Sequence, residues 1–140
     1  MAQQSESAPR VGVTSAGAHL LASTPEVSWQ VRWDVENLDL ESLELLDAHL
    51  PHKQFLAKSQ DLGRQALGPR ESYRLELNVA SGEPPGSVID NAFLILRVQR
   101  GENQWRVFSR LLVRFGPDGH LEQTCTLIAV HPVGFSRAIS

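Results

Sequence analysis

Few residues in this 140-residue chain have the type and spacing that chemistry needs. His49 and His52, with Leu50-Pro51 between them, come closest to metal-ligand spacing. In an extended chain, residues three apart point to opposite faces, and no second ligand pair such as Cys-x-x-Cys accompanies them. The pair therefore reads as part of a surface loop. The single cysteine, Cys125, can form no internal disulfide. It falls among apolar neighbours, where a thiol is buried and inert rather than nucleophilic. No serine stands in Gly-x-Ser-x-Gly, and neither glycine-rich phosphate-binding pattern occurs. Asp34, Glu36, Asp39, Glu41, Glu44 and Asp47 form an acidic run without a base among them. A paired-carboxylate catalyst needs two acids set across a cleft. The run reads first as a solvated acidic edge, with calcium binding or docking to a basic partner as lesser alternatives. No catalytic residue, metal or cofactor is assigned, and the chain is expected to be non-enzymatic.

The more informative chemistry is a set of arginines interleaved with apolar side chains. Residues 91–99, 104–115 and 121–130 read as three strands in series. They are joined by the polar Arg100-Gly101-Glu102-Asn103 loop, a hairpin signal, and by Gly116-Pro117-Asp118-Gly119-His120, a turn-rich stretch. Side chains alternate faces along a strand. With Gln99 opposite Gln104 and Phe115 opposite Leu121, one face carries Ala92, Leu94, Leu96, Val98, Trp105, Val107, Leu111, Val113, Cys125 and Leu127, which is a plain core face. The same register sets Arg114 opposite Glu122 and Phe108 opposite Ile128, both favourable cross-strand pairs. The other face carries Phe93, Ile95, Phe108, Leu112, Ile128 and Val130 with Arg97, Arg106, Arg110 and Arg114. A solvated sheet face is mostly polar, and this one is not. Two readings stand. Arginine stems or a terminal segment cover the apolar groups within the monomer, or the face binds a partner, since interfaces favour aromatics and arginine.

The elements that must position these residues follow from composition and pattern. A chain of 140 residues fits one domain and buries enough surface for a core without staples. A hydrophobic content of 41% and a charged content of 21% are ordinary for a globular protein. No apolar run is long enough for a membrane helix. The first ten residues lack a basic region and an apolar region and do not read as a secretory signal, and with the lone cysteine this points to the cytoplasm. The net charge is −3, and 11 of the 13 bases are arginines, the better residue for planar, bidentate contacts. A nucleic-acid binder carries a stronger basic excess, which argues against that partner.

Residues 1–10 read as a disordered tail, residues 11–135 as the domain and residues 136–140 as a second tail. Val11 to Ala22 is a weak strand interrupted by glycines. Val27, Trp29, Val31, Trp33 and Val35 alternate with polar residues, the mark of a half-buried strand. Trp29 and Trp33 share that face with valines and are read, with Trp105, as core rather than as a ligand platform. Leu40 to Leu50 fits a strand, with a helical turn as the alternative near residues 38–48. Phe55 to Leu62 reads as a short edge strand, guarded by Lys53 and Lys58. Tyr73 to Val79 alternates again. Ser81 to Ser87 is a loop, because its prolines and glycines exclude regular structure.

Seven to eight short strands with turns between them predict an all-β, antiparallel two-sheet sandwich of immunoglobulin-like type. Val35-Glu36-Asn37 at a strand end, followed by Leu67-Gly68-Pro69-Arg70-Glu71-Ser72 before a strand, resembles bacterial immunoglobulin-like modules of the CARDB kind. Those read V-x-N and later L-x-P-G-E-S. The likeness spans roughly residues 26–115, and Arg70 stands where the family prefers Gly. It implies a sandwich with a binding or scaffolding role and carries over no site residues. The function expected is therefore an interaction or assembly module. Its partner-binding face would comprise Phe93, Ile95, Arg97, Arg106, Phe108, Arg110, Leu112, Arg114 and Ile128, and it would dock a protein partner or a second copy. The alternative is a small-molecule or carbohydrate-binding module that uses tryptophans or loops.

Overall fold

The computed structural model describes residues 7–133. Eight strands follow one another: β1 (Val11–Ala22), β2 (Ser28–Asn37), β3 (Leu43–His52), β4 (Phe55–Leu67), β5 (Ser72–Ala80), β6 (Val88–Arg100), β7 (Asn103–Phe115) and β8 (Leu121–Pro132). The residues left ambiguous between helix and strand are strand from Leu43 onward. Among the described residues there is no helix long and apolar enough to cross a membrane.

All neighbouring strands are antiparallel, in the order β1-β2-β5-β4-β3-β6-β7-β8. The all-β antiparallel expectation is met, but the two-sheet sandwich becomes a single sheet rolled into a nearly closed barrel, with β1 beside β8. Among the hydrogen-bonded neighbours the weakest joint is between β4 and β5, which share the single register pair Leu56↔Ala80. β4 is thus longer than the edge strand expected there, and it lies between two neighbours.

The inward side chains make one core from every strand. Trp29, Trp33 and Trp105 are 5%, 0% and 7% exposed, so all three tryptophans belong to it. The β6–β7 hairpin keeps the expected register, with Gln99 opposite Gln104 and Leu94, Leu96 and Val98 facing inward beside Trp105 and Val107.

The two motifs of the immunoglobulin-like resemblance come together at one end of the barrel. Asn37 is fully buried. Its Nδ2 donates to the Glu41 and Leu67 carbonyls, each at 2.9 Å, and its Oδ1 accepts from the Asp39 amide at 2.8 Å. The Asn37 amide donates to the Glu71 carbonyl at 3.0 Å, and the Arg70 amide donates to the Asn37 carbonyl at 2.8 Å. A buried amide side chain needs this degree of satisfaction. Arg70 takes a left-handed backbone, with φ of 69°.

Of the expected N-terminal tail, residues 1–6 lie outside the described residues, as does the expected tail at 136–140. Residues 7–10 are docked. Pro9 is buried, the Leu38 amide donates to the Arg10 carbonyl at 2.9 Å, and the Arg100 guanidinium donates to the Ser7 carbonyl. Arg100 is itself 5% exposed. It pairs with Asp39 and stacks over the Trp105 ring at 5.7 Å. The buried arginine is stabilised by charge pairing and by a π face.

The acidic run is not an unpaired edge. Asp34 meets Arg74, Glu44 meets Arg64 and Asp47 meets Arg97, each at 2.6 Å, while Asp39 meets Arg100. The run lacks bases locally, but the strands paired beside it supply them.

Candidate functional site

The outward face of β6, β7 and β8 holds most of the arginine-aromatic set. On β6 and β7 the pleat places Phe93 opposite Arg110, Ile95 opposite Phe108 and Arg97 opposite Arg106. Phe93, Ile95, Phe108 and Leu112 are half-buried on this outer side. Arg106 and Arg114 are exposed, and Arg114 lies opposite both Val88 on β6 and Glu122 on β8.

β8 departs from the expected arrangement. Its register begins as predicted, with Phe115 opposite Leu121 and Arg114 opposite Glu122. It then shifts by one, because Cys125 opposes Leu111 while Leu127 opposes Arg110, leaving Thr126 as the extra residue of a bulge. The Thr126 hydroxyl donates to the Arg110 carbonyl at 3.3 Å and so serves part of the interrupted ladder. A one-residue slip sends every later side chain to the other face. Ile128 and Val130 consequently pack against the core and leave the candidate face. Leu127, expected in the core, turns outward and is 59% exposed. Ala129 and His131 join it, opposite Phe108 and Arg106.

The result is an open groove of about 440 Å³ lined by Pro51, His52, Asn91, Phe93, Ile95, Phe108, Ala129 and His131. Phe93, Ile95 and Phe108 form its apolar floor. His131 meets the Phe108 ring edge-on, with centroids 5.5 Å apart, a favoured aromatic arrangement. His52 Nε2 and Asn91 Oδ1 lie 3.1 Å apart on the opposite rim. The bulge in β6 between Ile89 and Ala92 brings Asn91 there.

The four arginines differ in freedom. Arg97 is tied down, with Nη2 at 2.6 Å from Asp47 Oδ2 and Nη1 donating to Gln104 Oε1 at 3.1 Å. Arg110 Nε donates to the Asp90 carbonyl at 2.9 Å, which sets its stem between Phe93 and Leu127. Arg106 and Arg114 extend from exposed positions at the two ends of the patch. Leu112 lies on the same face, opposite Thr124 and outside the groove.

Sequence reasoning missed His52, Asn91, Leu127, Ala129 and His131. His52 arrives from the end of β3 and Asn91 from the β6 bulge, and the β8 residues arrive through the Thr126 bulge. Thr126 is a β-branched residue that reads as ordinary strand, so no local signal marked the slip.

Cys125, expected to be buried in the core, is half-buried against it. Burial pushes its thiol above the ordinary range, which keeps it protonated. A second depression, of about 580 Å³, opens at one end of the barrel over Trp29, Phe115 and His120. Trp29 there is held by its Nε1 donating to the Ser81 carbonyl at 2.9 Å and by the His120 ring at 5.9 Å.

Comparisons with protein-family models, with curated proteins and with solved structures find no match to this chain.

Proposed function

We propose that the chain is a non-enzymatic interaction module, and that the outer face of β6, β7 and β8 docks a protein partner. The observation that carries this reading is the groove floored by Phe93, Ile95 and Phe108 with Leu127 exposed beside it. Contiguous apolar surface on a sheet face that no element among the described residues covers marks an interaction site. An apolar side chain of the partner fills the groove, and acidic groups around it meet Arg106, Arg110 and Arg114. Arginine suits this role, because its weakly hydrated guanidinium pairs with carboxylates and stacks on rings. The immunoglobulin-like, CARDB-type resemblance implies a binding or scaffolding role of the same kind.

A different protein is favoured over a second copy. The acidic stretch of a second copy would have been the complement, and Asp34, Asp39, Glu44 and Asp47 already hold arginines within their own chain. The ligand-binding alternative loses its tryptophan platform, since the three tryptophans are core. It keeps the loop-lined depression over Trp29 as its place.

The test is the double substitution Phe108→Asp with Arg110→Asp. The variant is expected to stay folded, because both side chains face outward, and to lose capture of the partner in a pull-down. Sedimentation velocity on both proteins reports self-association. An unfolded variant would place Phe108 in the core, and a folded variant with unchanged association would put the interface elsewhere.

A further inference from the structure

The seam between β4 and β5 is open along most of its length. β5 pairs with β2 without interruption from Ser72 opposite Glu36 to Ala80 opposite Ser28. Toward β4 it pairs only at Ala80. In an antiparallel strand, both main-chain groups of a residue point the same way, and successive residues alternate between the two neighbours. The Ser81 amide donates to the Val27 carbonyl and the Asn37 amide donates to the Glu71 carbonyl. Odd-numbered residues of β5 therefore turn their main chain to β2. The N–H and C=O groups of Arg74, Glu76 and Asn78 turn to the seam.

A crease of about 490 Å³ lies at this seam, lined by Lys58, Ser59 and Gln60 of β4 and by Leu77, Asn78 and Ala80 of β5. Ala57 and Leu77 also line it although both point into the barrel. The crease thus reaches down to the edge of the core, where Ala57 and Leu77 stay 4% and 2% exposed.

Proteins guard free strand edges with bulges, prolines and lysines. β1 is bulged between Ser15 and Ala18, and β8 is bulged at Thr126. β4 carries Lys58 and an irregular stretch at Gly63 and Arg64, both with positive φ. β5 has none of these devices. Its one outward base, Arg74, is drawn back onto β2 by Asp34, with Nε to Oδ1 at 2.6 Å, and leaves the seam clear.

We propose that the β5 edge receives an extended segment of another polypeptide as an added strand. Its main chain bonds to Arg74, Glu76 and Asn78. Its side chains alternate, with small apolar groups turned toward Ala57 and Leu77 and polar groups turned outward beside Lys58 and Gln60. Strand addition draws affinity from main-chain bonds and specificity from alternate side chains. A folded second copy is a poor occupant, because its own open β5 edge lies inside an equal crease with β4 across it, whereas a single extended segment fits a crease.

Hydrogen exchange on the intact chain tests this at single amides. The probe is a blocked peptide of alternating valine and threonine, as long as the 9 residues of β5. In the free protein the Arg74, Glu76 and Asn78 amides exchange fast while Leu75, Leu77 and Val79 are protected. Saturating peptide slows the first three by about tenfold or more, and the same peptide N-methylated at every second amide does not. Equal protection of both sets without peptide would show a seam closed within the chain and overturn the proposal. So would a peptide that leaves the three amides unprotected. Protection that grows with protein concentration alone, with a dimer in sedimentation velocity, would make the occupant a second copy and overturn it equally.

Discussion

Trp33 on β2 donates its indole Nε1–H to Gln123 Oε1 on β8 at 2.9 Å, across the barrel interior. The Gln123 Nε2 lies 3.4 Å from the Arg32 carbonyl. That carbonyl faces the β1 bulge between Ser15 and Ala18, where β1 offers it no direct register partner. Gly17 sits in this bulge with φ of 106°, and a Cβ there would meet the Arg32 guanidinium at 3.1 Å. Gln123 thus closes the β1–β8 side of the barrel from within. Gln123→Leu leaves the buried Trp33 N–H unpaired and is expected to cost about 1–3 kcal/mol. Trp33→Phe is expected to cost a similar amount by stranding the glutamine. The double variant should cost less than the two added together, which chemical denaturation in a double-mutant cycle measures.

Arg70 occupies a left-handed backbone position at the turn into β5, with φ of 69°. A side chain there costs roughly 1–2 kcal/mol, and glycine's extra freedom when unfolded returns about 0.4–1 kcal/mol of that. Arg70→Gly should stabilise the protein by about 0.5–1 kcal/mol. Urea unfolding midpoints for the two proteins check it, and an unchanged or lower midpoint would show that the arginine side chain contributes more than the turn strain costs.

Asp39 governs part of the acid limb of stability. Burial works to raise its carboxyl, but the Leu40 amide and the Arg100 guanidinium outweigh burial and hold it below the ordinary value of 3.8. A carboxyl depressed in the folded state contributes stability that is complete above its unfolded value and is lost as pH falls through the folded one. Asp39→Asn should destabilise by about 2–3 kcal/mol at neutral pH. The two proteins should converge as pH falls below the ordinary carboxylate value of 3.8 and on through the lower folded one. Thermal melts from pH 7 to 2 follow the difference, and a gap that stays constant with pH would remove Asp39 from this role.

Cys125 should react slowly. Burial raises its thiol and its Sγ lies 3.9 Å from the Leu127 carbonyl. At neutral pH, alkylation in the native state should be at least about tenfold slower than in denaturant. A rate equal to that of the unfolded chain would mean that the Thr126 bulge opens readily.

The sequence by itself determined the local order of this protein. The valine-tryptophan alternation from Val27 to Val35, the alternation from Tyr73 to Val79 and the hairpin at Gly101 are visible because inward and outward side chains experience different solvents on every second residue. The same pattern placed Trp29, Trp33 and Trp105 in the core and put Phe93, Ile95 and Phe108 on one outer face. Tertiary structure alone decided the rest. Thr126 slips β8 by one residue, sending Ile128 inward and Leu127 outward, and parity counted along a chain cannot register an inserted residue that looks like its neighbours. The acids from Asp34 to Asp47 meet arginines 20 to 61 positions away, so their neutralisation depends on strand order, as does the closure of one sheet into a barrel. The same order brought β4 beside β5 and let them part, because pairing along a seam depends on where bulges turn the strands, and β4 turns at Gly63 and Arg64.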